Sequence, residues 1–114
     1  LKISISAEIH DERVRSVGPL NAPIWSIKAE NPHNDILRYP SDLAHIRSVF
    51  RRTIDAIASA HGPDVCVAVF PAMPAACAVE LGRIWQPKAH PPLEIYDQTG
   101  SRGFVLRHVI EAYG

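Results

Sequence analysis

Hydrophobic and polar residues alternate at the start of the chain, in residues 2–9 (KISISAEI). A period of two predicts a strand that has one face toward solvent. A polar, turn-rich stretch separates it from a second predicted strand, residues 23–29 (PIWSIKA). Turn-forming residues are also frequent in residues 30–40, which we interpret as a loop.

A long amphipathic helix follows, from Ser41 to the Gly62–Pro63 pair. Ser41 can cap this helix, and Asp42 favours its positive end. Its apolar residues recur at helical spacing and are Leu43, Ile46, Phe50, Ile54 and Ile57. The next run, residues 65–70 (VCVAVF), is apolar on both faces, which is typical of a central parallel strand that helices cover on both sides.

A Pro-Ala-Met-Pro corner at residues 71–74 leads from that strand into a second predicted helix, which ends at Trp85. Pro74 suits the first turn, where its missing N–H costs nothing. The helix is rich in alanine, and the pattern leaves only Glu80 and Arg83 to meet water. Two more strands are predicted further on, at residues 93–97 (LEIYD) and 104–112 (FVLRHVIEA).

This alternation of strands and helices predicts an α/β fold, a Rossmann-like and mostly parallel sheet flanked by helices. The length of 114 residues indicates one domain, residues 1–114. Ligands of such sheets bind outside the carboxyl ends of the parallel strands. We therefore expect the loops 30–40, 71–74 and 97–103 to share one binding edge.

The 71–74 corner brings the N–H groups of a helix start to that edge, where their partial positive charge favours a phosphate. Close packing of the alanines explains the same corner without a ligand, and both interpretations stay open. Tyr96 and Asp97 end a predicted strand, where they can stack on a base and accept a hydrogen bond from its amino group or from a ribose hydroxyl. A buried tyrosine beside a turn-capping aspartate is the alternative.

Charge and chemistry narrow the function. The 12 basic and 12 acidic residues cancel, which argues against a broad surface for duplex nucleic acid. The 6 histidines are scattered, so no metal site is expected. Ser4, Ser6 and Cys66 lack a nucleophile motif, and glycine-rich phosphate loops are absent from the sequence. No cofactor is expected, and both cysteines lie in apolar segments, which predicts a reducing cytoplasm and a Cys66 that packs as a small hydrophobe.

Residues 69–98 closely resemble the C-terminal part of SAVED domains. The shared motifs are the FPAMP corner, the ELGR helix, the PK turn and the YD strand end. Further similarity lies in LKISISAEI at the start, NPHNDILRYPSDL before the first long helix, and GFV in the last strand. The resemblance therefore covers nearly the whole chain.

SAVED domains resemble two fused CARF-like, Rossmann-type halves that together bind a cyclic di-, tri- or tetranucleotide in CBASS antiviral defence. They control a fused effector such as a nuclease, an NADase or a protease. The resemblance implies that this chain is one CARF-like half with no catalysis of its own. Its expected partners are a cyclic oligonucleotide, the other half, an effector domain and, on ligand binding, further copies in a homo-oligomer, with no duplex nucleic acid and no membrane.

Ligand-binding residues are carried over from the matching motifs. The resemblance implies contacts from two groups and three additional candidates: Pro71, Ala72, Met73 and Pro74; Tyr96, Asp97 and Gln98; and Ser6, Asn31 and His33. Two alternatives stay open. One is a ring-nuclease-like enzyme that degrades the cyclic ligand, and the other is a structural half that mediates oligomerisation with little ligand contact.

Overall fold

A computed structural model describes most of the chain, namely residues 1–17, 22–30, 40–62, 64–98 and 104–110. Asn31 and His33, two of the predicted ligand-binding residues, lie outside these ranges. In chain order the elements are β1 (Lys2–Ser4), α1 (Asp11–Arg15), β2 (Ser26–Lys28), α2 (Pro40–His61), β3 (Val67–Ala72), α3 (Ala75–Ile84), β4 (Leu93–Gln98) and β5 (Phe104–Ile110).

The strands form one five-stranded sheet in the order β2-β1-β3-β4-β5. The first four run parallel, and β5 pairs antiparallel with β4. The predicted α/β, Rossmann-like fold is therefore confirmed. Strand order reverses between β1 and β3, and a doubly wound sheet opens a crevice at such a switch point.

Helices α2 and α3 pack on one face of the sheet and bury the larger core. Phe50 and Ile54 of α2 and Cys77 of α3 are 0% exposed, and they contact the sheet through Ile3 and Val69, which are also 0% exposed. Fully burying a side chain of this size contributes about 1.5–3 kcal/mol, so this face supplies most of the driving force. Helix α2 ends where expected, because Gly62 adopts a left-handed φ of 86° directly after His61.

The opposite face carries a smaller core under the short helix α1. Ile9 and Val14 pack there against Phe70 and Phe104, and all four side chains are buried. Alternation along β3 explains the division, because Val67 and Val69 point into the larger core while Ala68 and Phe70 point into the smaller one. The sequence predicted helices on both faces of the sheet, but this second face is covered less completely than the first. On it, Leu106 and Val109 of β5 are 43% and 54% exposed.

Several predicted boundaries are wrong. Strand β1 ends at Ser4 rather than residue 9, because the chain then bends over the sheet edge, and the pattern missed helix α1 entirely. Strand β3 continues through Pro71 and Ala72, which the sequence placed in a corner. Helix α2 begins at Pro40, so Ser41 lies in its first turn and is not the N-cap.

Two side chains lie where the pattern did not predict them. Glu80 is only 6% exposed, since it faces α2 and not water, and its Oε2 lies 2.7 Å from Arg47 Nε. Cys66 is exposed and donates to Glu94 Oε1 at 3.3 Å, so it does not pack as a small hydrophobe. None of the helices in the described ranges combines the length and the hydrophobicity that a membrane-spanning segment needs.

Candidate functional site

The carboxyl ends of β1 and β3 meet at the switch point of the sheet. Ser4 pairs with Ala72 in the parallel register, and the amides of the two residues that follow β1, Ile5 and Ser6, both donate to the Ala72 carbonyl at 2.9 Å. These bonds bring Ser6 beside Pro71 and Ala72. Five candidates, Ser6 and residues 71–74, thus lie together at one edge.

The amino end of α3 opens onto the same edge without a capping side chain. Its N-cap is Pro74, in an extended conformation (φ −61°, ψ 155°), and no side chain of the described residues caps the helix. The amides of Cys77 and Ala78 donate to the Pro74 carbonyl at 3.0 and 3.3 Å, whereas Ala75 and Ala76 are exposed and the first turn has no acidic residue. The uncompensated amides favour an anion there.

Met73 lies in the turn between β3 and α3. Its side chain is half-buried and packs against the larger core, and it therefore anchors the turn between β3 and α3. The corner is consequently both a packing element and an exposed helix start, so the two interpretations left open by the sequence are compatible.

Tyr96, Asp97 and Gln98 end β4, on the far side of β3 from β1. The Tyr96 ring stacks on Phe70, with centroids 4.7 Å apart and planes inclined by 19°, so one ring face is already occupied. Burial raises the pKa of the Tyr96 phenol, and the Glu94 carboxylate raises it further. Asp97 is exposed and points to the opposite face, while Gln98 is described by its backbone only.

A cavity at this edge was not predicted from the sequence. It has a volume of about 310 Å³ and lies between the ends of β1 and β2 and the first half of α2. Its lining includes the apolar residues Ile5, Ile27 and Phe50 and the acidic residues Glu30 and Asp42. The amphipathic pattern of α2 predicted that Phe50 is apolar and faces the sheet, but the gap between helix and sheet edge depends on tertiary packing.

Other parts of the described chain are weaker candidates for a binding site than the carboxyl edge. A cavity of about 220 Å³ lies at the opposite, amino edge of the strands, beside Leu1, Trp25 and His61, and none of the predicted ligand-binding residues lines it. Among the described residues, no group of three His, Cys, Asp or Glu side chains is arranged to hold a metal ion. The carboxyl edge is therefore the best candidate site.

Comparison with known proteins agrees with the resemblance found in the sequence. Residues 1–110 match the family described as "SMODS-associated and fused to various effectors sensor domain" (SAVED). No curated protein matches the chain. Because the family match spans β1 to β5, this chain belongs to the SAVED family of sensor domains.

Proposed function

We propose that this chain is the ligand-binding part of a cyclic-oligonucleotide sensor in antiviral defence. Its ligand is a cyclic di-, tri- or tetranucleotide that binds at the carboxyl edge of the sheet. Ligand binding promotes oligomerisation and activates an associated effector, which is a nuclease, an NADase or a protease. The chain itself is a sensor in the cytoplasm and needs no cofactor.

One observation carries the proposal: the uncapped amino end of α3 lies beside the end of β1 at the switch point. A phosphate of the ligand accepts hydrogen bonds from the amides of Ala75 and Ala76, whose side chains are too small to block its approach. Residues 71–74 include the turn that faces the ligand, and they contact it through their backbone. This arrangement binds an anionic ligand by main-chain groups, and needs no cluster of basic side chains.

The size of the edge cavity supports a shared binding site. A volume of about 310 Å³ is near the lower limit of small-molecule pockets, which begin at about 300 Å³. A cyclic oligonucleotide is larger than such a cavity, so this chain contacts one part of the ring. The remaining contacts come from the second CARF-like half that the resemblance implies.

The output of the sensor is a change of assembly. A ligand that binds the associated state more tightly than the free state shifts the population toward the associated state, without breaking a bond. The family description, a sensor fused to various effectors, supports an effector as the recipient of this signal.

Calorimetric titration of the complete protein with a panel of cyclic di-, tri- and tetranucleotides tests the proposal. We expect saturable binding of at least one member and no comparable binding of the linear oligonucleotide with the same bases. Sedimentation velocity on the same samples is expected to show larger species only with the cyclic ligand. Absence of binding across the whole panel would refute the proposal, and linear products would favour the ring-nuclease alternative.

A further inference from the structure

The chain crosses the carboxyl edge of the sheet in a short loop, residues 5–9, which we call the edge loop. Ile5 is 3% exposed in the larger core, and Ile9 is 4% exposed in the smaller core on the other face. Between them, Ser6 is half-buried while Ala7 and Glu8 are exposed. The loop thus begins in one core and ends in the other, and its middle faces outward beside the candidate site.

Side chains of β1 hold the far end of the edge loop. The Ile9 amide donates to Ser4 Oγ at 3.1 Å, and the Ile9 carbonyl accepts from Lys2 Nζ at 3.2 Å. Both main-chain groups of Ile9 are therefore satisfied by side chains two residues apart on the same face of β1. Lys2 also forms an ion pair with Asp11, which connects the loop to the start of α1.

The near end and the middle of the loop are also tethered. The amides of Ile5 and Ser6 donate to the Ala72 carbonyl, and Glu8 accepts from Lys28 of β2 at 2.8 Å. The Glu8 pair is exposed on both sides, so it contributes little. In contrast, Ser4 is 1% exposed, and its oxygen is the buried acceptor for the Ile9 amide. Loss of that acceptor would leave a buried N–H unpaired, which the loop relieves by moving.

We propose that Ser4 is a positioning residue for the ligand site: its buried hydroxyl fixes the edge loop, and with it Ser6, in the conformation that the ligand meets. Ser4 does not itself contact the ligand. A loop that is already ordered costs the ligand no ordering entropy, and this is how preorganisation raises affinity. The inference rests on the proposed function, because it assigns a role within the same site.

Ser4→Ala in the complete protein tests this role, with Ile57→Val as the matched control. Ile57 is 4% exposed and lines the cavity at the amino edge, so its shortening costs stability without touching the edge loop. We expect Ser4→Ala to weaken binding of the panel member that wild type binds most tightly by about five- to tenfold. Ile57→Val is expected to stay within about twofold of wild type.

The hydrogen-exchange rate of the Ile9 amide separates a positioning role of Ser4 from a general effect on stability. If Ser4 only stabilised the fold, this local rate would not follow ligand affinity. The amide is expected to exchange at least about tenfold faster in Ser4→Ala than in wild type. Ser4→Thr keeps an acceptor oxygen and is expected to restore both the protection and the affinity. Protection of the Ile9 amide and ligand affinity should therefore change together across wild type, Ser4→Ala and Ser4→Thr.

Two results would overturn the inference while the proposed function stands. One is a Ser4→Ala protein that binds as tightly as Ile57→Val despite faster Ile9 exchange, and the other is an unchanged Ile9 exchange rate. Failure of wild type to bind any member of the panel is a different result, because it removes the proposed function and the inference together.

Discussion

Ala76→Glu introduces a carboxylate into the first turn of α3, where the proposed site receives a phosphate. Ala76 is exposed, the turn has no acidic residue, and no side chain of the described residues caps the helix. The new carboxylate complements the helix dipole and is expected to leave the fold intact or slightly more stable. The same charge repels an anionic ligand, so stability and affinity should change in opposite directions.

The size of the repulsion follows from the geometry of the helix start. A Glu side chain in the first turn lies about 6 Å from an anion on the first amides, which at effective dielectric constants of about 80 and 20 costs about 0.7 and 2.8 kcal/mol. Affinity should therefore fall by about three- to a hundredfold. The helix itself gains about 0.3–1 kcal/mol from the dipole, offset in part by the lower helix propensity of Glu relative to Ala.

Ala76→Gln is the matched control, because it has nearly the same size and no charge. Calorimetric titration of both variants with the cyclic nucleotide that wild type binds should show a loss for Ala76→Glu and little change for Ala76→Gln. Repeating the titration at higher salt should narrow the difference, since ions screen the repulsion. Urea unfolding of the same proteins should give midpoints at or above that of wild type for Ala76→Glu.

Wild-type affinity in both the Glu and the Gln variant would refute the reasoning. It would mean that the α3 amino end does not receive the phosphate, whatever the family membership of the chain. Equal losses in both variants would point to side-chain size instead of charge. Substitution of Met73 or Tyr96 is less informative, because both side chains pack against the cores and would change the fold as well as the site.

Two further predictions concern packing and reactivity. His90 is buried, accepts from the Gln86 amide and contacts Asp55, each at 2.8 Å, so His90→Ala should lower the free energy of unfolding by about 2 kcal/mol in urea titrations. Asp55→Asn keeps an acceptor on an exposed side chain and should cost less than about 0.5 kcal/mol; an equal loss in both variants would contradict this account. Exposed Cys66 should be alkylated in the native protein, while Cys77, whose pKa is raised by burial and then by a nearby carboxylate, should react only after unfolding, as peptide mass spectrometry can test.

The local pattern of apolar and polar residues was sufficient to predict the order and type of the main secondary-structure elements. The apolar run around Val69, the helical spacing of Phe50 and Ile54, and the glycine after His61 are short-range signals, and the structure confirms the strand, the helix and its end. Helix α1 was missed because it is only five residues long, with Val14 its one buried residue. A single apolar position gives no detectable period.

Contacts between residues far apart in the chain could not be predicted from the sequence. Burial of Glu80 depends on Arg47, which is 33 residues away along the chain. One face of the Tyr96 ring is covered by Phe70 of the neighbouring strand. Neither pairing is encoded in local spacing, because strand order and helix packing decide which side chains meet.

By itself, the sequence determined an α/β fold and membership of the SAVED family, and it predicted a candidate binding edge, since periodicity and ordered motifs are properties of neighbouring residues. Only the tertiary structure decided how that edge is built. It placed the Ile5 and Ser6 amides on the Ala72 carbonyl, left the α3 start uncapped beside them, and opened a cavity next to α2. The physical reason is that the hydrogen bonds, the position of the α3 start beside the end of β1, and the cavity each join segments tens of residues apart, so they exist only after the strands have aligned in parallel.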